Sequence, residues 1–89
     1  MIKPTKEELK HALEAAEYMR EQGMDKHHVA KSLLYMTERN KMLEKVLGAA
    51  ELYLHFGQGS TEHATLVRAV NAARRTEERN EAASLASHP

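Results

Sequence analysis

Residues 25–56 read DKHHVAKSLLYMTERNKMLEKVLGAAELYLHF, and within them Val29, Leu33, Met36, Asn40, Leu43, Leu47, Ala50 and Leu54 follow one another at alternating spacings of four and three. That is the a/d repeat of helices packed side by side. Neither Pro nor Gly interrupts it before Gly48, and one Gly inside a helix costs only about 1 kcal/mol. The stretch therefore predicts a single helix over about 26–56, roughly 45–50 Å long at about 1.5 Å per residue. Such a helix is a spine for whatever else the chain folds.

The two halves of this spine do not share one apolar face. Val29, Ala30, Leu33 and Leu34 define the apolar side of the first half, opposite Lys31 and Glu38; Met42, Val46, Ala49, Ala50 and Tyr53 define that of the second, opposite Glu44, Lys45, Glu51 and His55. Only the seam through Met36, Leu43, Leu47 and Leu54 continues across both. The halves are thus expected to serve different neighbours, with a first helix covering one and a third helix covering the other.

Upstream, Thr5 with Glu8 three residues later is a capping box, in which hydroxyl and carboxylate satisfy the orphan amides of a helix start. Leu9, Ala12, Leu13, Ala16 and Met19 fall on one face at about 100° per residue, and Gly23 supplies a left-handed stop. A first helix over about 6–22 follows. The short Gly23-Met24 connection folds it back on the spine, with Asp25 as the spine's cap. Downstream, Gly57-Gln58-Gly59-Ser60 is a turn, with Ser60 or Thr61 as the cap of a third helix over about 61–80. Its apolar face runs through Ala64, Leu66, Val67, Ala69, Val70 and Ala73 and then gives way to Glu77, Asn80 and Ser84, so residues 82–89 are expected to fray or be disordered. The expected fold is all-α: a three-helix up-down arrangement with a long central helix in one domain over residues 1–81, dimerising into a larger helical bundle.

Composition narrows function by exclusion. The 89 residues leave room for one domain, and a chain this short buries only about 60–65% of the surface its unfolded form exposes. Thirteen basic residues balance thirteen acidic ones, so no long-range field draws the chain to nucleic acid or an anionic membrane. The absence of Cys removes disulfides, thiolate metal sites and a Cys nucleophile together. The amino end, MIKPTKEELK, lacks the apolar run of a signal peptide, and no stretch approaches the ~18 apolar residues of a membrane span. A cytoplasmic location without membrane contact is the expectation.

Six His residues invite a test for metal binding. Chelation from one helix needs two His at i, i+3 or i, i+4, and His11, His27, His28, His55, His63 and His88 contain no such pair. Glu8 with His11, an E-x-x-H unit, and Glu51 with His55 remain as candidates. A di-iron bundle needs that unit twice with two further inward Glu; here it occurs once, with His11 on the polar side of its helix, so solvated side chains are the simpler reading. His27 and His28 fall in the expected first turn of the spine, where the dipole disfavours their charged forms, and two exposed polar residues account for them. Arg68, Arg75 and Arg79 form a stripe on the third helix that could meet phosphates, but Glu78 lies beside it and no aromatic residues are interleaved to stack bases, so nucleic acid is not the expected partner. No Ser sits on a Gly-flanked elbow and the Gly57-Gln58-Gly59 turn is too short to cradle phosphate. Neither catalysis nor a cofactor is expected.

Asn40 stands out because it occupies an a-type position on the seam, where Leu is the usual residue. A lone polar residue there costs stability and serves to fix register between partners. Two spines meeting near their centres would bring two Asn40 side chains together; the other reading of equal weight is an Asn40 partly exposed between the ends of the first and third helices, since such an Asn sets register only inside a packed seam. The expected interface is Met36, Asn40, Leu43, Leu47 and Leu54, and the expected function is that of a non-enzymatic homodimeric adaptor or regulator. The alternatives are a metal- or ligand-binding bundle with a His/Glu site and a nucleic-acid binder using the Arg stripe.

Overall fold

A computed structural model describes residues 1–56 and 59–86. It contains three helices, α1 (Lys6–Glu21), α2 (Val29–His55) and α3 (Ser60–Ala86), and no strand among the described residues. The expected all-α, three-helix fold with a long central helix is present. Two compact units divide the chain, Met1–Asn40 and Lys41–Pro89, so α1 shares a unit with the first part of α2, and α3 with the rest.

In the first unit, α1 begins with the expected capping box: the Glu8 backbone N–H donates to Thr5 Oγ1 at 3.1 Å, and the Thr5 N–H donates to Glu8 Oε1 at 2.8 Å. Its end is a Schellman motif. The Met24 N–H donates to the Met19 carbonyl at 2.8 Å and the Gly23 N–H to the Arg20 carbonyl at 3.3 Å, with Gly23 at φ 65° as this closure requires.

The start of α2 differs from the expected one. The helix begins at Val29, not residue 26, and residues 26–28 form a turn in which His28 takes φ 58°. His is one of the few non-Gly residues enriched in this region. Asp25 still caps the helix, but from a distance: its Oδ1 accepts from the Ala30 N–H at 2.8 Å and its Oδ2 from the Lys31 N–H at 2.9 Å. The His28 N–H closes the turn onto the Asp25 carbonyl at 3.1 Å. His27 and His28 therefore precede the helix rather than occupying its first turn.

Packing of α1 on α2 in this unit buries Ala16 and Ala30, with Leu13, Met19, Leu33, Leu34 and Thr37 half-buried around them. Alanine at the centre of a helix pair lets the two backbones approach closely. Val29, expected on this covered face, is exposed. It starts the helix, level with the turn that Asp25 holds.

In the second unit, α2 turns Met42, Val46, Ala49, Ala50 and Tyr53 toward α3, and every one of them is buried or half-buried. From α3 come Ala64, Leu66, Ala69, Val70 and Ala73, half-buried as expected, while Val67 is exposed. The covered face does not stop at Ala73, since Thr76 and Glu77 are also half-buried. Nor does the helix stop at residue 80. Glu81, Ala82, Ala83 and Leu85 are strong helix formers, and α3 continues through exposed residues 82–86, part of the expected frayed tail, to Ala86. At its other end the His63 N–H donates to the Gly59 carbonyl at 3.0 Å, so the helix starts one residue earlier than expected. Residues 57–58 of the expected turn and residues 87–89 of the expected tail, with His88, lie outside the described residues.

Candidate interaction surface

Once α1 and α3 have been seated on α2 within their units, the seam residues stay uncovered. Met36 is 58% exposed, Leu43 48%, Leu47 58% and Leu54 75%. Asn40 is exposed as well. Of the a/d repeat only Leu33 and Ala50 are half-buried, one in each unit. The physical reason lies in helix geometry. In each half the flanking helix seats on a face centred about 100° around α2 from the a/d line, and most side chains on that line then have nothing above them. The interiors left behind are small: among the described residues the buried apolar side chains are Ala16, Ala30 and Ala49, and no large side chain is fully buried.

The metal candidates do not converge. Glu8 is committed to the α1 cap. The backbone N–H of Thr5, and after it the Thr5 hydroxyl, hold the Glu8 carboxyl below the ordinary glutamate value against a small opposing effect of burial. His11, Glu51 and His55 are exposed. Among the described residues no group of three or more His, Asp and Glu is placed to hold a metal ion. His63 instead sets its ring against Tyr53, with centroids 6.1 Å apart and planes tilted by 52°.

Arg68, Arg75 and Arg79 are exposed on α3. Arg79 Nη2 donates to Thr76 Oγ1 at 3.1 Å and Arg68 Nη2 to Thr65 Oγ1 at 3.5 Å. Each threonine hydroxyl donates in turn to a carbonyl one turn earlier, Thr65 to Thr61 and Thr76 to Ala72. Two of the three guanidinium groups are thus laid along the helix surface, each with one of its five donors engaged there.

Two features were not anticipated from the sequence. Arg20, in the last turn of α1, lies 3.6 Å from Asp25 Oδ2, and the Asp25 side chain is only 4% exposed. Burial alone would raise the Asp25 carboxyl. The N–H groups of Ala30 and Lys31 and the charges of Arg20 and His28 outweigh it, leaving the group below the ordinary aspartate value. The available signal was an Arg in the last turn of one helix five residues before an Asp that caps the next. Separately, Leu52 and Phe56 are an exposed apolar pair off the seam, visible in the sequence as an i, i+4 spacing that belongs to neither covered face.

No helix among the described residues is long and apolar enough to cross a membrane. Comparison with protein-family models, with curated proteins and with solved structures finds no match to this chain.

Proposed function

We propose that this protein is a non-enzymatic helical interaction module that pairs with a second copy of itself along the seam of α2 and acts, as a homodimer, as an adaptor or regulator of another protein. The observation that carries the reading is the exposure of Met36, Leu43, Leu47 and Leu54 on the a/d line of α2, while Met42, Val46, Ala49, Ala50 and Tyr53 on another side of the helix are buried or half-buried. Apolar side chains aligned in a contiguous exposed stripe mark an interaction surface far more often than scattered ones do. A repeat of spacing four and three is complementary to a like repeat on another helix, and a second copy is the partner certain to carry one.

Energetics point the same way. Burying a Leu side chain contributes roughly 1.5–3 kcal/mol, and a core centred on alanines supplies little of this within one chain. Four large seam residues per copy, buried in a pair, add the apolar area that a small domain lacks.

Pairing ties stability to concentration. The melting temperature followed by circular dichroism should rise steadily over a hundredfold increase in protein concentration. A melting temperature that stays constant over that range would contradict the reading.

A further inference from the structure

We propose that the side of the second unit turned away from the seam receives an acidic amphipathic helix of a partner protein, with Leu52 and Phe56 taking its apolar residues and Lys45, Arg68 and Arg79 its carboxylates. This deepens the adaptor reading above by naming the chemistry of the adapted partner, and every residue of the site belongs to the one unit Lys41–Pro89.

Burial fixes which sides of α2 and α3 meet. Met42, Val46, Ala49 and Tyr53 of α2 and Leu66, Ala69, Val70 and Ala73 of α3 are covered, and the connection between His55 and Ser60 is short enough that the two run antiparallel. The Tyr53 and His63 rings meet at the connected end. Counted at about 100° per residue, Lys45, Leu52 and Phe56 lie back around α2 from its covered line, whereas Leu43, Leu47 and Leu54 lie forward of it. Antiparallel helices turn in opposite senses when viewed from one end, so the residues that lie back around α3 share a side with Leu52. These are Thr65, Arg68, Ala72, Thr76 and Arg79, with Arg75 at the outer rim.

Lys45, Leu52, Phe56, Arg68, Arg75 and Arg79 are all exposed. Thr65 and Thr76, half-buried beside α2, accept from Arg68 and Arg79 and so lean both guanidinium groups toward the boundary between the helices. Between them the surface is open: Ala72 is exposed, and a Cβ at Gly48 would meet nothing within 4 Å. Acidic side chains lie elsewhere. Glu44 and Glu51 project from the side of α2 opposite α3, Glu77, Glu78 and Glu81 lie toward the other sides of α3, and the Glu62 carboxylate rests against Gly59. Residues 41–86 hold six basic and six acidic residues, so the positive side arises by segregation within a neutral unit.

Complementary charge selects an acidic occupant, and an apolar pair one turn apart selects a helix with a like pair. Arg68 and Arg79 are 11 residues apart, about 16 Å along α3, which matches carboxylates about three turns apart on the occupant. Nucleic acid offers no apolar side chain to Leu52 and Phe56. A lipid surface calls for apolar residues along the whole length between the cations, and here they stand at one end.

The test selects a displayed library of amphipathic helices about 18 residues long, their polar positions drawn from Glu, Lys and Gln, on the full-length protein. Selected sequences should be enriched in Glu over Lys and carry a large apolar pair at one end. A selected peptide labelled with fluorescein should bind less tightly as salt rises. It should lose about tenfold in affinity to the combined Arg68→Glu and Arg79→Glu variant, and severalfold to Leu52→Ala, with the helical content of both variants unchanged by circular dichroism. Exchanging the peptide's Glu for Arg should restore binding to the double variant. Selection without Glu enrichment, or binding that the double exchange leaves undiminished, overturns the proposal. Retention of a short DNA duplex or of phosphatidylserine vesicles at a salt concentration where the selected peptide does not bind overturns it too. Leu47→Glu, which breaks the pairing proposed for the seam, should leave peptide affinity unchanged, so a monomeric mass of the wild type overturns the homodimer while this site stands.

Discussion

The Asp25 carboxylate accepts a hydrogen bond from the backbone N–H of Ala30, five residues ahead, at 2.8 Å, and Ala30 is 1% exposed. One side chain thus ties the start of α2 to the centre of the interior that α1 and α2 share. Arg20, from the end of α1, reaches the same carboxylate, so the cap also links the two helices.

Asp25→Asn should therefore lower the melting temperature near neutral pH, because the amide loses the charge that Arg20 and the two N–H groups favour. The pH dependence has a definite sign. A carboxyl held below its ordinary value when folded contributes stability that is present above the unfolded pKa of about 4 and is lost as pH falls through the folded value. Denaturant titrations at about pH 7 and in the acid range below about pH 4 should show the difference between wild type and Asp25→Asn shrinking in acid.

The capping box at the start of α1 makes a separate prediction. Thr5→Ala removes the acceptor for the Glu8 N–H and should cost about 1 kcal/mol. Glu8→Gln keeps a side-chain acceptor for the Thr5 N–H but loses the charge, and should destabilise less. Urea unfolding of both variants checks the order.

Two glycines should respond oppositely to the same substitution. A Cβ at Gly23 or at Gly48 meets nothing within 4 Å, so backbone conformation alone decides. Gly23 sits at φ 65°, where Ala carries a strain of about 1–2 kcal/mol, and Gly23→Ala should destabilise by about that much. Gly48 lies inside α2, where Ala is favoured over Gly by about 0.8–1 kcal/mol, and Gly48→Ala should stabilise correspondingly. Paired thermal melts at one protein concentration test both signs.

Much of the fold was legible because helical periodicity is a local property. Met42, Val46, Ala49, Ala50 and Tyr53 could be assigned to one covered face, and Leu33 and Leu34 to another, since apolar side chains recurring every three or four residues admit few arrangements. The start of α2 was less legible. A positive φ at His28 depends on a carboxylate reaching forward to Ala30 and Lys31, and spacing alone does not separate that from an ordinary cap at Asp25. The end of α3 is hard to read from sequence for a related reason. Loss of the apolar face after Ala73 signals a loss of packing, but residues such as Ala82 and Ala83 sustain a helix by propensity alone. For the candidate surface, the a/d line could be read from spacing, but its exposure could not, because that depends on where α1 and α3 settle.

Sedimentation equilibrium of the full chain at high micromolar concentration tests the central claim most directly, with Leu47→Glu alongside. The wild type should sediment at twice its 10.1 kDa chain mass, and the variant, with a charge placed in the middle of the seam, should shift to the mass of a single chain. A wild-type mass of 10.1 kDa at that concentration would contradict the pairing of α2 with a second copy and the function built on it.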